Sequence, residues 1–509
     1  MNKALKTVSG MFVIMMTAKL LGQIREIMLA SFYGTGNDAS AFLVASQIPL
    51  NFFDMVLGLA IVSAFVPVFN EFLQKEGKSK ANEFAGNFVG IVLLISLVMA
   101  SIGMLFSKSI ISLLATGFDS QTANLASKLL VIMFPSLVFT AVAYSYAGIV
   151  QSYGEFKIPA AMSIASNLTA IVYFIFINKF AGIFGLAVSM LIGWALQLII
   201  LLPALFKFKY NFGIAFNFAH PGMKKVYRLA LPILLSSWAQ PLNVMINTYL
   251  ASFIDGGNAV SYINYANKLY IIIVGVFTMS VTNLILPELS RLFADKNYEK
   301  SAQVIENALK SGVIFIIPVM MVFLAFSYQI VEVVYMRGAF DEKSVLMTSE
   351  ALYFYSFGML GYGLQEILNK SFYSMQNSVV PMKNAFLTII VNVILSFSLH
   401  KTFGVGGLAL AAAIAASVSA ANLLRLLKKK HKSVSFSSLR ITFVKSLTAG
   451  SVSCVITKLL YNVCSEFSAG LIGKFIILAC CALFLFALYI VILVILRTDE
   501  IKNLFKRKV

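Results

Sequence analysis

Charge is scarce in this chain. Only 12% of its 509 residues are Asp, Glu, Lys or Arg, against 59% hydrophobic, and its mean hydropathy is +0.87. Globular proteins average roughly 25% charged, and a soluble domain of this composition would expose far too much apolar surface. Cysteine is scarce too: Cys454, Cys464, Cys480 and Cys481 all fall in the last apolar segments, with no CxxC and no ligand spacing. That excludes a disulfide framework or a cysteine metal site as the basis of the fold. The three histidines, His220, His400 and His431, stand alone near segment ends. HExxH, GxSxG and Walker A patterns are absent, which argues against a hydrolase or an ATPase. No long loop carries the acidic residues that a polytopic glycosyltransferase would need. No enzyme activity, metal or cofactor is expected.

Long apolar runs are what the chain has in abundance. A helix needs about 20 apolar residues to cross a bilayer. Fourteen stretches meet this, near 8–33, 39–70, 84–107, 124–150, 157–178, 182–206, 226–253, 257–290, 311–335, 346–372, 379–400, 404–424, 441–463 and 470–496. The apolar region from Val8 runs past the 7–15 residue h-region of a cleaved signal peptide and shows no clear cleavage site, so it is expected to be the first span. The fold class expected is an all-α polytopic membrane protein.

Charge orients the spans. With an N-terminus in the cytoplasm, twenty-eight of the forty Lys and Arg fall in loops on that side, eight on the other face, and four inside spans. This matches the positive-inside rule and places both termini in the cytoplasm. The net charge of +19 therefore reads as topology and contact with anionic membrane lipids rather than nucleic-acid binding. The KKKHK run at 428–432 is a solvated, lipid-facing loop on this reading.

The chain also repeats itself. Pro67 matches Pro287, Asp119 matches Asp341, Pro159 matches Pro381, and GLA at 185–187 matches GLA at 407–409, in order and at offsets of 220–222 residues. Each copy holds six spans, an even number, so the copies enter the membrane the same way and form parallel repeats. The expected organisation is an N-lobe over 1–215, a C-lobe over 216–432, and two extra helices with a basic cytoplasmic tail over 433–509. In such folds the substrate site lies between the halves and access alternates.

Against this background the segment TAKLLGQIREIMLASF at 17–32 stands out, because it carries Lys19, Arg25 and Glu26 inside a span. Charge in the membrane interior is costly and persists mainly where it faces protein, water or a ligand. Counted from Val8, Lys19 lies roughly 16 Å in and Arg25 roughly 25 Å in. Lys19 and Glu26 lie about 10 Å apart along the helix, and Arg25 points about 100° away from Glu26, so the charges are not expected to neutralise one another. Lys268, in SYINYANKLY, is the corresponding intruder in the second half. A structural reading makes Arg25 and Glu26 glue between helices. The functional reading is a cationic cavity for an anion. A membrane scaffold would not need such charges at mid-membrane in both halves.

The sequence resembles the MurJ (MviN) family of lipid II flippases over essentially its whole length. The resemblance is carried by TAKLLGQIREIMLASFYGTGNDASAFLVASQIP, AFVPVFNEF, NYANKLY and VYMRGAFDEKSVLMTSEAL. It implies the polysaccharide-exporter superfamily fold, with fourteen spans in two lobes and a lipid-facing groove on the last two helices. The substrate it implies is undecaprenyl-diphosphate carrying the disaccharide-pentapeptide precursor of peptidoglycan, with a cell-wall synthesis complex as a further partner. The family's basic residues then fall at Lys19, where arginine is commoner, at Arg25, followed by the acid Glu26, and at Lys268. The acid that opens the second helix is displaced: the aligned position is Ser40, with Asp38 just before it. A further basic residue of some members is missing from PLNFFDMVLG, which holds Asp54 instead. The acids that bind sodium in some members correspond to Asn247 and Asn377, a degenerate site, because an amide coordinates Na⁺ far less strongly than a carboxylate. Coupling to an ion or to the membrane potential stays open. Two other transport functions stay open as well: flipping another undecaprenyl-linked glycan of capsule or exopolysaccharide, and cation-coupled drug export, which calls for an acidic cavity.

Overall fold

The computed structural model describes residues 2–58, 61–430, 436–465 and 470–498. Among the described residues helices fall in all fourteen expected segments, and those near 124–150, 226–253 and 346–372 are each split into two helices; the chain forms two compact units, residues 1–261 and 262–509. Residues 216–261, which the repeat assigns to the second copy, pack with the first unit. His431, Lys432 and the basic tail beyond Thr498 lie outside the described residues.

The first unit holds α1 (Asn2–Tyr33), α2 (Asn37–Phe53), α3 (Val66–Lys75), α4 (Gly77–Leu105), α5 (Ser107–Leu114), α6 (Ser120–Met133) and α7 (Ser136–Ser152). It continues with α8 (Lys157–Phe176), α9 (Asn178–Ile199), α10 (Leu202–Lys207), α11 (Pro221–Ser237) and α12 (Ala239–Ser252). α1 packs on α8, α8 on α9, and α2 on α6. An aromatic stack organises the core where α3, α4 and the turn before α3 meet: Phe65 lies 4.1 Å from Phe88 and Phe72 lies 5.0 Å from Phe84. The second span was expected to run unbroken from 39 to 70. It is instead interrupted by two π-turns, Asp54–Gly58 and Ile61–Phe65. Each π-turn shifts the helix register, and the Trp238 indole donates to the Met55 carbonyl within the first of them, at 2.9 Å.

A strap formed by residues 211–220 lies along α4. Asn87 donates to the Asn217 carbonyl at 2.7 Å and accepts from the Asn217 amide at 2.5 Å. The strap comes so close that a Cβ on Gly86 would sit 1.9 Å from the Gly213 carbonyl oxygen. Only glycine leaves room for it.

The second unit holds most of α13 (Ala259–Ala294), then α14 (Tyr298–Tyr335), α15 (Glu342–Ser356), α16 (Met359–Ser374), α17 (Val379–Lys430), α18 (Phe436–Cys464) and α19 (Gly470–Ile495). α14 packs against α15, α16, α18 and α19, and α16 against α17. At 52 residues α17 would be about 78 Å long if straight. It is two spans bent at Gly404, whose φ is 51°. Among the described residues ten stretches are long and apolar enough to cross a membrane, with these two spans counted as one.

The repeat reappears as local structure. Gly182 bends α9 with φ 53°, matching Gly404 at 222 residues' distance. Asp119 caps α6 by accepting from the Thr122 amide, and Asp341 caps α15 by accepting from the Ser344 amide and hydroxyl, at 2.8 and 2.6 Å. Pro159 and Pro381 each occupy the third position of their helices, α8 and α17, where the missing N–H has no intrahelical partner to lose.

Candidate functional site

The first helix keeps its charges on two different terms. Lys19 is half-buried and forms no ion pair or hydrogen bond among the described residues. It borders a cavity of about 510 Å³ between α1, α7 and α8, walled also by Met11, Met15, Gln151, Pro159 and Ser163. A second cavity, about 200 Å³, shares Gln151, Pro159 and Ser163 and adds Tyr144 and Gln197. The Gln197 amide donates to Ser166 at 2.9 Å. One ammonium thus borders a mainly apolar recess beside a 32-residue helix, with the Gln151 amide and the Ser163 hydroxyl as the other polar groups. These three groups suit an anion with hydrogen-bonding groups.

Arg25 and Glu26 behave otherwise. They were expected to point apart and remain unpaired with each other. In the structure Arg25 Nη2 meets Glu26 Oε1 at 2.5 Å. Their Cβ atoms diverge by about 100°, but the long arginine stem reaches back around the helix and closes the gap. Glu26 is 4% exposed, so the guanidinium compensates a buried carboxylate. The other terminal nitrogen, Nη1, donates to Asn167 Oδ1 on α8 at 3.1 Å. The glue and the cation are therefore the same side chain.

The remaining candidates separate. Asp38 is exposed in the first turn of α2, where the helix dipole favours an acid. Ser40 is fully buried and shares a hydrogen bond of 2.7 Å with Ser261, likewise fully buried and 221 residues further on. Both hydroxyls are thereby committed to a contact between helices. Asn247 lies on α12 in the first unit. Asn377 belongs to the second unit, where it accepts from the Val380 amide at 3.3 Å and caps α17. Lys268 is half-buried on α13 in the second unit.

Two features escaped the sequence reading. Asn167 is 6% exposed and interrupts the apolar run SIASNLTAIVYF, and a lone amide in a span was the signal available. In the second unit Glu366 and Lys370 lie one turn apart on α16. Lys370 sits 5.9 Å from the Tyr373 ring centre, and Tyr270 packs on Tyr355 and Tyr362 with ring centres 5.5 and 5.6 Å apart. Glu366 was an in-span acid and readable as such.

Comparison with known proteins agrees with this architecture. The sequence model of the family described as "Lipid II flippase MurJ" matches residues 29–495. The probable lipid II flippase MurJ of Buchnera aphidicola subsp. Schizaphis graminum is 28% identical over 419 residues, covering 82% of this chain and 81% of the relative. The lipid II flippase MurJ of Burkholderia cenocepacia is 27% identical over 436 residues, covering 84% of each. Among solved structures, a lipid II flippase MurJ in an inward closed conformation superposes with a TM-score of 0.81 at 24% identity, over 96% of this chain and 99% of that one. A multidrug transporter of the MATE family superposes at 0.72 and 13% identity, over 84% and 99%. With the family match spanning nearly the whole chain and the fold agreeing, this polytopic membrane protein belongs to the MurJ lipid II flippase family.

Proposed function

We propose that this protein flips lipid II. On this reading it moves the undecaprenyl-diphosphate-linked peptidoglycan precursor from the inner to the outer leaflet of the bacterial cytoplasmic membrane, with both termini in the cytoplasm. The observation that carries the reading is Lys19, an ammonium with no protein partner among the described residues, on the 32-residue helix α1 beside a recess of about 510 Å³ that Gln151 and Ser163 also line. A diphosphate is a dense anion that must leave one headgroup layer and enter the other. Lysine meets it as a point charge and arginine as a fork. Lys19 and Arg25 in the first unit and Lys268 in the second each draw on that charge as access alternates, while the polyprenyl tail stays in lipid. Enzymes of peptidoglycan synthesis are the natural neighbours, supplying the precursor on one side and consuming it on the other.

The test is complementation. Expression in bacteria depleted of their own lipid II flippase should prevent lysis. Continued lysis with normal membrane insertion would transfer the reading to another undecaprenyl-linked glycan. Drug export is disfavoured by the cations of α1 and α13, since a cationic drug needs an acidic cavity.

A further inference from the structure

We propose that Asn167 is a positioning residue for transport, holding the Arg25 guanidinium where it can meet the lipid-linked diphosphate. The inference rests on the flippase reading above. It starts from three contacts: Asn167 Oδ1 accepts from Arg25 Nη1 at 3.1 Å, Asn167 Nδ2 donates to the Ala18 carbonyl at 3.1 Å, and Arg25 Nη2 pairs with Glu26 at 2.5 Å.

The two amide contacts fix each other. A flipped amide would turn its NH₂ against the guanidinium and its oxygen against the Ala18 carbonyl, so only one orientation satisfies both. The contacts also set where Arg25 reaches. Ala18 and Arg25 are seven residues, about 10 Å, apart along α1. One amide bridges the Ala18 carbonyl and the Arg25 guanidinium, so it ties a fixed point of the α1 backbone to the end of the arginine side chain. Asn167 therefore holds the guanidinium on the side of α1 that faces α8.

The residue type matters as much as the place. Glu26 already neutralises one charge. A second acid at 167 would leave the cluster net negative, hostile to a diphosphate, and would lose the donor to Ala18. A neutral amide orients the guanidinium without cancelling it, and the remaining guanidinium N–H groups stay available to a ligand. Asn167 is 6% exposed on α8, so α8 acts on α1 from behind.

Asn167 could instead serve only to bond α1 to α8. A mutant cycle on the full-length protein in lipid nanodiscs separates the roles, with affinity for undecaprenyl diphosphate and melting temperature read together. Asn167→Ala should weaken affinity about tenfold, the equivalent of one charge-assisted hydrogen bond. Asn167→Asp, of the same size, should weaken it at least as much. In an Arg25→Ala, Glu26→Ala background, where nothing is left to position, Asn167→Ala should change affinity less than about twofold. An equal loss in both backgrounds, or unchanged affinity in Asn167→Ala while the Arg25→Ala, Glu26→Ala protein binds weakly, overturns the positioning role and leaves the flippase reading standing. Unchanged affinity in the Arg25→Ala, Glu26→Ala protein and in Lys19→Ala alike overturns the diphosphate reading itself.

Discussion

Replacing each cation of α1 with alanine should produce opposite signatures. Lys19 is half-buried beside a cavity and has no protein partner among the described residues. Its removal leaves no carboxylate exposed to a poorer environment, so stability should change by less than about 0.5 kcal/mol. Binding should suffer instead. Two unit charges 4 Å apart attract by about 4 kcal/mol at an effective dielectric of ~20, and desolvation reduces the net gain of a charged hydrogen bond to about 1.5–3 kcal/mol. Lys19→Ala should thus lower affinity for undecaprenyl diphosphate by roughly 10- to 150-fold and abolish complementation at a normal membrane level. Lys19→Arg keeps the charge and should retain much of the activity. Arg25→Ala removes the guanidinium that pairs at 2.5 Å with Glu26, itself 4% exposed. Breaking a buried pair costs about 3–5 kcal/mol, and the lower end applies because the Arg25 side chain is 23% exposed. Arg25→Ala should therefore melt at a lower temperature than Lys19→Ala, and adding Glu26→Ala should recover most of the difference. The assay is nanodisc binding and thermal melting of each variant, with complementation in parallel. Equal melting temperatures for Lys19→Ala and Arg25→Ala would refute the reasoning about the pair. Full activity of Lys19→Ala, Lys268→Ala would remove the anion mechanism altogether.

Three further outcomes are expected. The family resemblance implies that Asn247 and Asn377 replace sodium-binding acids, and on that reading we propose that replacing Na⁺ at constant membrane potential changes the flipping rate little; a steep loss would mean that these or other groups still build a sodium site. The Ser344 hydroxyl and amide hold the Asp341 carboxyl below its ordinary pKa, so its cap contribution is complete above the unfolded value near pH 4 and fades as pH falls through the lower folded value. Asp341→Ala should cost about 1 kcal/mol at neutral pH and flatten the acid limb of a melting-temperature profile, and an unchanged limb would count against the cap. Gly86→Ala should dislodge the 211–220 strap, because the new methyl would meet the Gly213 carbonyl at 1.9 Å. Limited proteolysis within the strap should then speed up, and unchanged cleavage would show that the close approach is dispensable.

Much of this protein was legible without coordinates because lipid imposes simple rules. Every backbone polar group in the bilayer must be satisfied within its own segment. Apolar runs of sufficient length therefore become helices, and the described residues hold helices in all fourteen, some of them split in two. The repeat was legible because the features that mark helix ends are local. Asp119 and Asp341 both cap helices, while Gly182 and Gly404, which the repeat had not singled out, bend theirs at the same offset. The break in the second span was not legible, since π-turns leave no strong signature in a segment as apolar as its neighbours.

The sequence by itself determined the class of protein, the helical segments, the matching local features at an offset of about 220 residues, and the unusual presence of Lys19, Arg25 and Glu26 in a long, largely apolar segment. Helical periodicity even placed the last two on different faces. Only the tertiary structure decided what each charge does. Arg25 bends back to Glu26 and meets Asn167 from 142 residues away, Ser40 is committed to Ser261, and Lys19 alone of the three is left beside a cavity. The physical reason is that hydropathy depends on a segment's own composition. The partner of a buried charge depends on side-chain reach and on which distant helix packs alongside.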